Sequence, residues 1–113
     1  MEIIMLQALF GSIKKERILL FIYARDEGYA REIARFFNYE LYSVQNHLEK
    51  LESGGVIYGR KIGRTRLYSF NPRWLFLDEL KALLKKVLSF YPEGLRSALE
   101  IIRRRPRRKG KPL

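Results

Sequence analysis

Cysteine is absent from this sequence. That absence excludes disulfides, thiolate metal sites and cysteine nucleophiles together. It accords with a reducing compartment, and the cytoplasm is the expected location. Histidine occurs once, at His47, so no imidazole pair is available to share a metal. Neither a metal nor another cofactor is expected. Long apolar runs are also missing. The longest, ILLFIYA from Ile18 to Ala24, is far below the ~20 residues that span a bilayer. The opening MEIIMLQALF starts on an acid, not on the basic run of a secretory leader. No membrane partner is expected. No Gly-rich phosphate loop and no nucleophile–base pair emerges either. The adjacent acids Asp26-Glu27 and Asp78-Glu79 diverge by about 100° on a helix and read as solvated surface. The chain is not expected to be an enzyme.

Acid is in short supply. Lys and Arg number 23 against 12 Asp and Glu, for a formal charge of +11. Such a surplus on a small chain points to a polyanionic partner, nucleic acid before an anionic membrane. The surplus is uneven. The final RRRPRRKGKPL holds seven basic residues and no acid, so the rest of the chain is only mildly basic. Like charges without an apolar stripe give a flexible tail over 105–113 that suits phosphates without reading sequence. What remains, 47% apolar and 13% aromatic over the whole chain, supports one compact core.

Periodicity divides that core into elements. Residues 3–10 are apolar nearly throughout and read as a short buried helix, broken at Gly11. Ser12 is placed to cap a helix over about 13–26, whose apolar positions Ile18, Leu19, Ile22 and Tyr23 share one face. Gly28 is expected to close it. A second helix spans about 31–37, with Ile33, Ala34 and Phe37 inward. Asn38, which tolerates the left-handed conformation, opens a three-residue break. A third helix follows over 41–53, with Val44, Leu48 and Leu51 spaced i, i+4, i+7. After Gly54-Gly55 the composition turns β-branched and aromatic. Residues 56–62 and 66–70 read as a hairpin turning at Gly63-Arg64-Thr65. Two more helices follow, about 73–90 (Leu77, Leu80, Leu84, Val87 and Tyr91 inward) and about 95–104 (Leu95, Ala98, Leu99 and Ile102 inward).

Two short helices joined by a three-residue turn match the helix-turn-helix pattern, whose second helix enters the major groove. The added hairpin makes a winged version. The segments REIA, SVQNHLEKLESGGVI and GRTRLYSFNP resemble the winged-helix repressor families of prokaryotes, especially those similar to the arsenic-repressor (ArsR-like) group. The resemblance covers about residues 5–72. It implies a mainly α fold with a small β-hairpin, a winged helix-turn-helix with flanking C-terminal helices, and a DNA-binding transcriptional regulator. The metal-sensing members use thiolates or clustered histidines and carboxylates, which this chain lacks. The expected organisation is a winged domain over 1–72, C-terminal helices over 73–104 and the basic tail over 105–113. In the resembling families such flanking helices form a two-fold dimer interface. A homodimer is expected here, held by the apolar stripes of the last two helices.

Helical geometry selects the candidate readers. With Val44, Leu48 and Leu51 inward, Tyr42, Gln45, Asn46, Glu49 and Ser53 lie on or near the opposite side, flanked by Ser43 and Lys50. Asn and Gln suit paired hydrogen bonds to an adenine edge, whereas Tyr, Ser and Lys suit phosphates. The wing adds Arg60, Lys61, Arg64, Thr65 and Arg66, a basic ribbon fit for the backbone or the minor groove. Arg31, opening the second helix, joins this set. His47, at the edge of the core face, is expected to be structural. The expected partner is thus double-stranded DNA. The rival reading is an accessory nucleic-acid-binding module, for RNA or non-specific DNA, within a larger complex.

Overall fold

The computed structural model describes residues 6–103. The expected basic tail lies outside those residues, as do residues 3–5 of the first expected helix. The order is α1 (Gln7–Phe10), α2 (Ile13–Arg25), β1 (Glu27–Tyr29), α3 (Ala30–Phe37), α4 (Leu41–Ser53), β2 (Ile57–Ile62), β3 (Thr65–Phe70), α5 (Leu77–Ser89) and α6 (Glu93–Arg103).

Helix α2 is the axis of the molecule. Ser12 caps it, its side chain accepting from the Lys15 backbone N–H at 3.2 Å. Its apolar residues are buried nearly all round: Leu20 and Phe21 as fully as Ile18, Leu19 and Ile22. A one-sided stripe therefore understates α2, because α1, α4, the sheet, α5 and α6 all pack on it. It ends at Asp26, which adopts φ 72°, and not at Gly28. Asp, like Asn, has a short polar side chain that makes the left-handed conformation accessible. Gly28 instead lies in β1, a strand absent from the sequence reading. It is three residues long, too short for periodicity to register.

Strand β1 joins the hairpin in an antiparallel sheet of order β1-β3-β2. Its register places Glu27 opposite Ser69 and Tyr29 opposite Leu67. The hairpin pairs Ile57 with Phe70 and Ile62 with Thr65. Thr65 thus belongs to β3, and the connection is the two-residue Gly63-Arg64. Gly63, at φ 62°, occupies the first position of that turn, where a hairpin loop favours glycine.

The one-turn α1 departs from the expected buried helix. Leu6 before it is buried, but Leu9 is 71% exposed. A single turn has room to bury only one side. Helix α5 starts at Leu77, four residues later than expected. The delay comes from Asn71, whose Oδ1 accepts from the Arg73 N–H at 3.0 Å and whose carbonyl accepts from Trp74 at 3.1 Å. This Asx-type turn holds Pro72-Arg73 out of helical geometry. Leu75 and Phe76 are left exposed.

The stripe Leu77, Leu80, Leu84, Val87 and Tyr91 is buried, as is Leu99 of α6. Its cover is intramolecular, since both C-terminal helices pack against α2. The stripe therefore does not by itself require a second copy. Two charged residues of α2 secure the arrangement. Glu16 is fully buried. It accepts from the Leu6 backbone N–H at 2.7 Å and from the Tyr91 hydroxyl. Burial, followed by that bond to Glu16, pushes the Tyr91 phenol well above its ordinary value. Arg25 threads between the rings of Phe21 and Phe36, 4.3 and 4.9 Å from their centroids. It then donates to the carbonyls of Ala98 and Leu99, each at 3.2 Å.

Candidate nucleic-acid interface

The turn before α4 fixes how that helix is presented. Asn38 takes φ 60°, ψ 47°, and the Tyr39 N–H returns to the Ala34 carbonyl at 2.9 Å. This closes α3 and starts α4 after three residues. Val44, Leu48 and Leu51 of α4 then face the core, with exposures of 0, 0 and 8%. The opposite face is open: Tyr42 is 74% exposed, and Gln45, Asn46, Glu49, Lys50 and Ser53 are exposed beside it. The expected reading face is therefore continuous and solvent-facing.

One flank of this face is built by α2. Lys14 Nζ donates to Ser43 Oγ at 3.2 Å and sits 5.2 Å from the Tyr39 ring centroid. Tyr39 in turn stacks on Phe37. The first turn of α2 thus grips both the helix-turn-helix break and the start of α4. Ser43, a candidate contact, is half-buried and already engaged by this bond. One turn on, His47 is half-buried and its Nδ1 has no hydrogen-bond partner among the described residues. Burial, and then the charges of Lys15, Lys50 and Lys14, push its pKa below the ordinary value. Three lysines converge on this flank. Lys14 and Lys15 escaped the sequence reading because they reach α4 only through tertiary packing, 29 residues away in the case of Lys14 and Ser43.

The wing forms the other flank. Lys61 and Arg66 stand opposite each other in the ladder, a like-charge pair that is unfavourable alone. Glu52, near the end of α4, relieves it. Its Oε2 accepts from Arg66 Nη2 at 2.9 Å and from the Gly59 N–H at 3.1 Å. Gly59 also leaves room for the guanidinium to lie across it. A Cβ there would stand 2.9 Å from Arg66 Nε. Arg60 is similarly held, 3.1 Å from Glu27 Oε1. Thr65 Oγ1 donates across the turn to the Ile62 carbonyl at 3.0 Å. Lys61 and Arg64 are exposed, and neither forms an ion pair among the described residues. Arg31 is exposed on the first turn of α3.

The resulting surface is a polar helix face between two cationic edges, one contributed by Lys14, Lys15 and Lys50 and the other by Lys61 and Arg64. Such edges suit the phosphates that border a groove, and the face between them suits base edges. Among the described residues, no helix is long and apolar enough to cross a membrane, and no group of three His, Asp or Glu side chains gathers to hold a metal. No protein-family model matches the chain, and no curated protein matches it. The backbone is similar to a solved structure of ZitR from Lactococcus lactis, a doubly substituted variant in its apo form. The identity is 16%, the TM-score 0.53, and the match covers 86% of this chain and 82% of that one. The fold is a winged helix.

Proposed function

We propose that this winged helix binds double-stranded DNA as a homodimeric, sequence-discriminating transcriptional regulator. The observation that carries the reading is the open polar face of α4 lying between two cationic edges. Gln45 and Asn46 are the base readers, with Tyr42 and Lys50 at the margins of the groove. Ser43 acts indirectly, by holding Lys14 in place. Lys61 and Arg64 follow the phosphates or enter the adjoining minor groove, while Arg60, Thr65 and Arg66 shape the wing. Arg31 takes a peripheral phosphate. No metal or other cofactor enters this reading. Two copies related by a two-fold axis would set two α4 helices about one DNA turn apart on a palindromic site. Leu9, Leu75, Phe76 and Phe90 are exposed apolar side chains outside the core and are the material for that contact.

Selection from random duplex DNA supplies the test site. Asn46→Ala or Gln45→Ala should weaken binding to the selected duplex by about 1–3 kcal/mol if a paired base contact is lost, and random duplex much less. Equal losses on both duplexes would remove α4 as the reader. Binding to RNA as tight as to the selected duplex would favour an accessory nucleic-acid module instead. Sedimentation equilibrium decides the oligomer: a monomer at tens of micromolar, a rough upper range for a standard-sized interface, overturns the dimer.

A further inference from the structure

Away from the α4 face, helices α2, α5 and α6 enclose a cleft of about 220 Å³. Tyr23, Ala24 and Leu88 supply its apolar lining. Its polar lining is unusual for a gap between packed helices. Lys85 from α5 and Arg96 from α6 both border it, with Ser89 and Glu100. Arg96 is poorly committed. Its Nε is buried with no hydrogen-bond partner among the described residues. Its Nη2 approaches only Glu93, at 3.8 Å, and that carboxylate is 81% exposed. An exposed pair at that distance contributes little. A buried guanidinium N–H without an acceptor is costly, and the side chain that carries it lines the cleft. Lys85 likewise forms no ion pair among the described residues.

We propose that this cleft is a binding site for a small aliphatic monocarboxylate. The two cations supply the carboxylate's partners. Arg96 offers the planar fork that a carboxylate accepts in paired hydrogen bonds. Glu100 borders the cleft and Glu93 stands 3.8 Å from Arg96, so no surplus of positive charge favours a dianion such as a phosphate monoester. Ala24 and Leu88 receive a short branched alkyl body, and the volume limits the ligand to a few carbons. This site is separate from the DNA-facing surface and its existence does not depend on that reading.

The test uses the full chain and an isosteric pair of probes, isovalerate and isovaleramide, with phenyl phosphate as the dianion. The Arg96 Nε–H resonance in nitrogen-15 spectra reports on the site directly. Isovalerate should move it along a saturable isotherm in the millimolar range. The neutral amide and phenyl phosphate should move it at least several-fold less at equal concentration. Arg96→Gln removes that reporter, so the Ala24 and Leu88 methyl resonances are followed in Arg96→Gln and Lys85→Gln. Each substitution should reduce the isovalerate response several-fold while the remaining spectrum shows the fold intact. Equal responses to acid and amide, a stronger response to phenyl phosphate, no response to isovalerate, or an undiminished response in both variants would overturn the assignment.

Discussion

The two flanks of α4 carry similar numbers of cations and differ in what those cations are doing. On the wing, Arg60 and Arg66 each face a carboxylate, from Glu27 and Glu52. They build the ribbon more than they charge it. On the α2 flank, Lys14 is held by neutral groups, a serine hydroxyl and a tyrosine ring, which position an ammonium without cancelling it. Burial first, and then the charges of Lys15, Lys50 and Lys14, hold His47 below its ordinary value. Counting basic residues ranks the wing first. Counting uncompensated ones sets Lys61 and Arg64 on the wing against Lys14, Lys15 and Lys50 on the other flank, and moves the weight to that flank.

Removing charge from each flank tests that inversion. The largest effect is expected from the double substitution Lys14→Gln and Lys15→Gln. It should lower the salt dependence of DNA binding by about two units, one per lost phosphate contact. A slope equal to the parent's would return the dominant role to the wing. Next comes Arg64→Ala at the tip, with an expected fall in slope of about one unit and affinity lost equally on selected and random duplex. Arg60→Gln should do less to DNA binding than either. Its cost belongs to folding and should be at most about 1 kcal/mol, because the pair with Glu27 is exposed, as a urea titration would read. A DNA-binding defect from Arg60→Gln as large as that from Arg64→Ala would mean that the Glu27 pair opens on binding.

The smallest effect concerns His47. A folded-state pKa below the ordinary 6.5 means that the unfolded chain binds the proton more readily. The stabilisation is therefore complete above about pH 6.5 and is lost as pH falls through the folded value. Proton NMR of the imidazole should place its midpoint below 6.5. Lys15→Gln should raise that midpoint, and Arg60→Gln on the far flank should leave it unchanged. An imidazole indifferent to Lys15→Gln would show that burial alone sets it.

Much of this surface was legible in the sequence where one helix or one hairpin decides the outcome. The α4 boundaries, its buried stripe, the Asn38 break and the Ser12 cap all follow from local chemistry. So does the placement of Arg64 at an exposed tip. The rest depended on what packs against what. Burial on every side of α2 hides its role as an axis from a periodicity argument. Strand β1 is too short to declare itself, and Asp26 took the conformation expected of Gly28. The apolar stripes of α5 and α6 were visible, but whether a second chain or α2 would cover them is a tertiary question. The same holds for Lys14 and for the carboxylates that hold Arg60 and Arg66. Charge pairing across distant elements leaves no mark on either element's own pattern.

The ties at the two ends of α2 bear on how this chain could be divided. Glu16 depends on Tyr91, and Arg25 on the carbonyls of Ala98 and Leu99. A fragment ending at Pro72 would keep the wing and α4 yet remove the Tyr91 hydroxyl from a buried carboxylate at one end of its central helix and two carbonyl acceptors from a buried guanidinium at the other. Hydrogen bonds to buried charged groups are among the more valuable ones, and leaving such a group short of partners is costly. The winged module and the C-terminal helices should therefore open as one cooperative unit, with amide protons of α2 and α6 exchanging at a common rate set by global unfolding. On the proposed reading, a minimal DNA-binding fragment would have to include α5 and α6, although they contribute no residue to the α4 face.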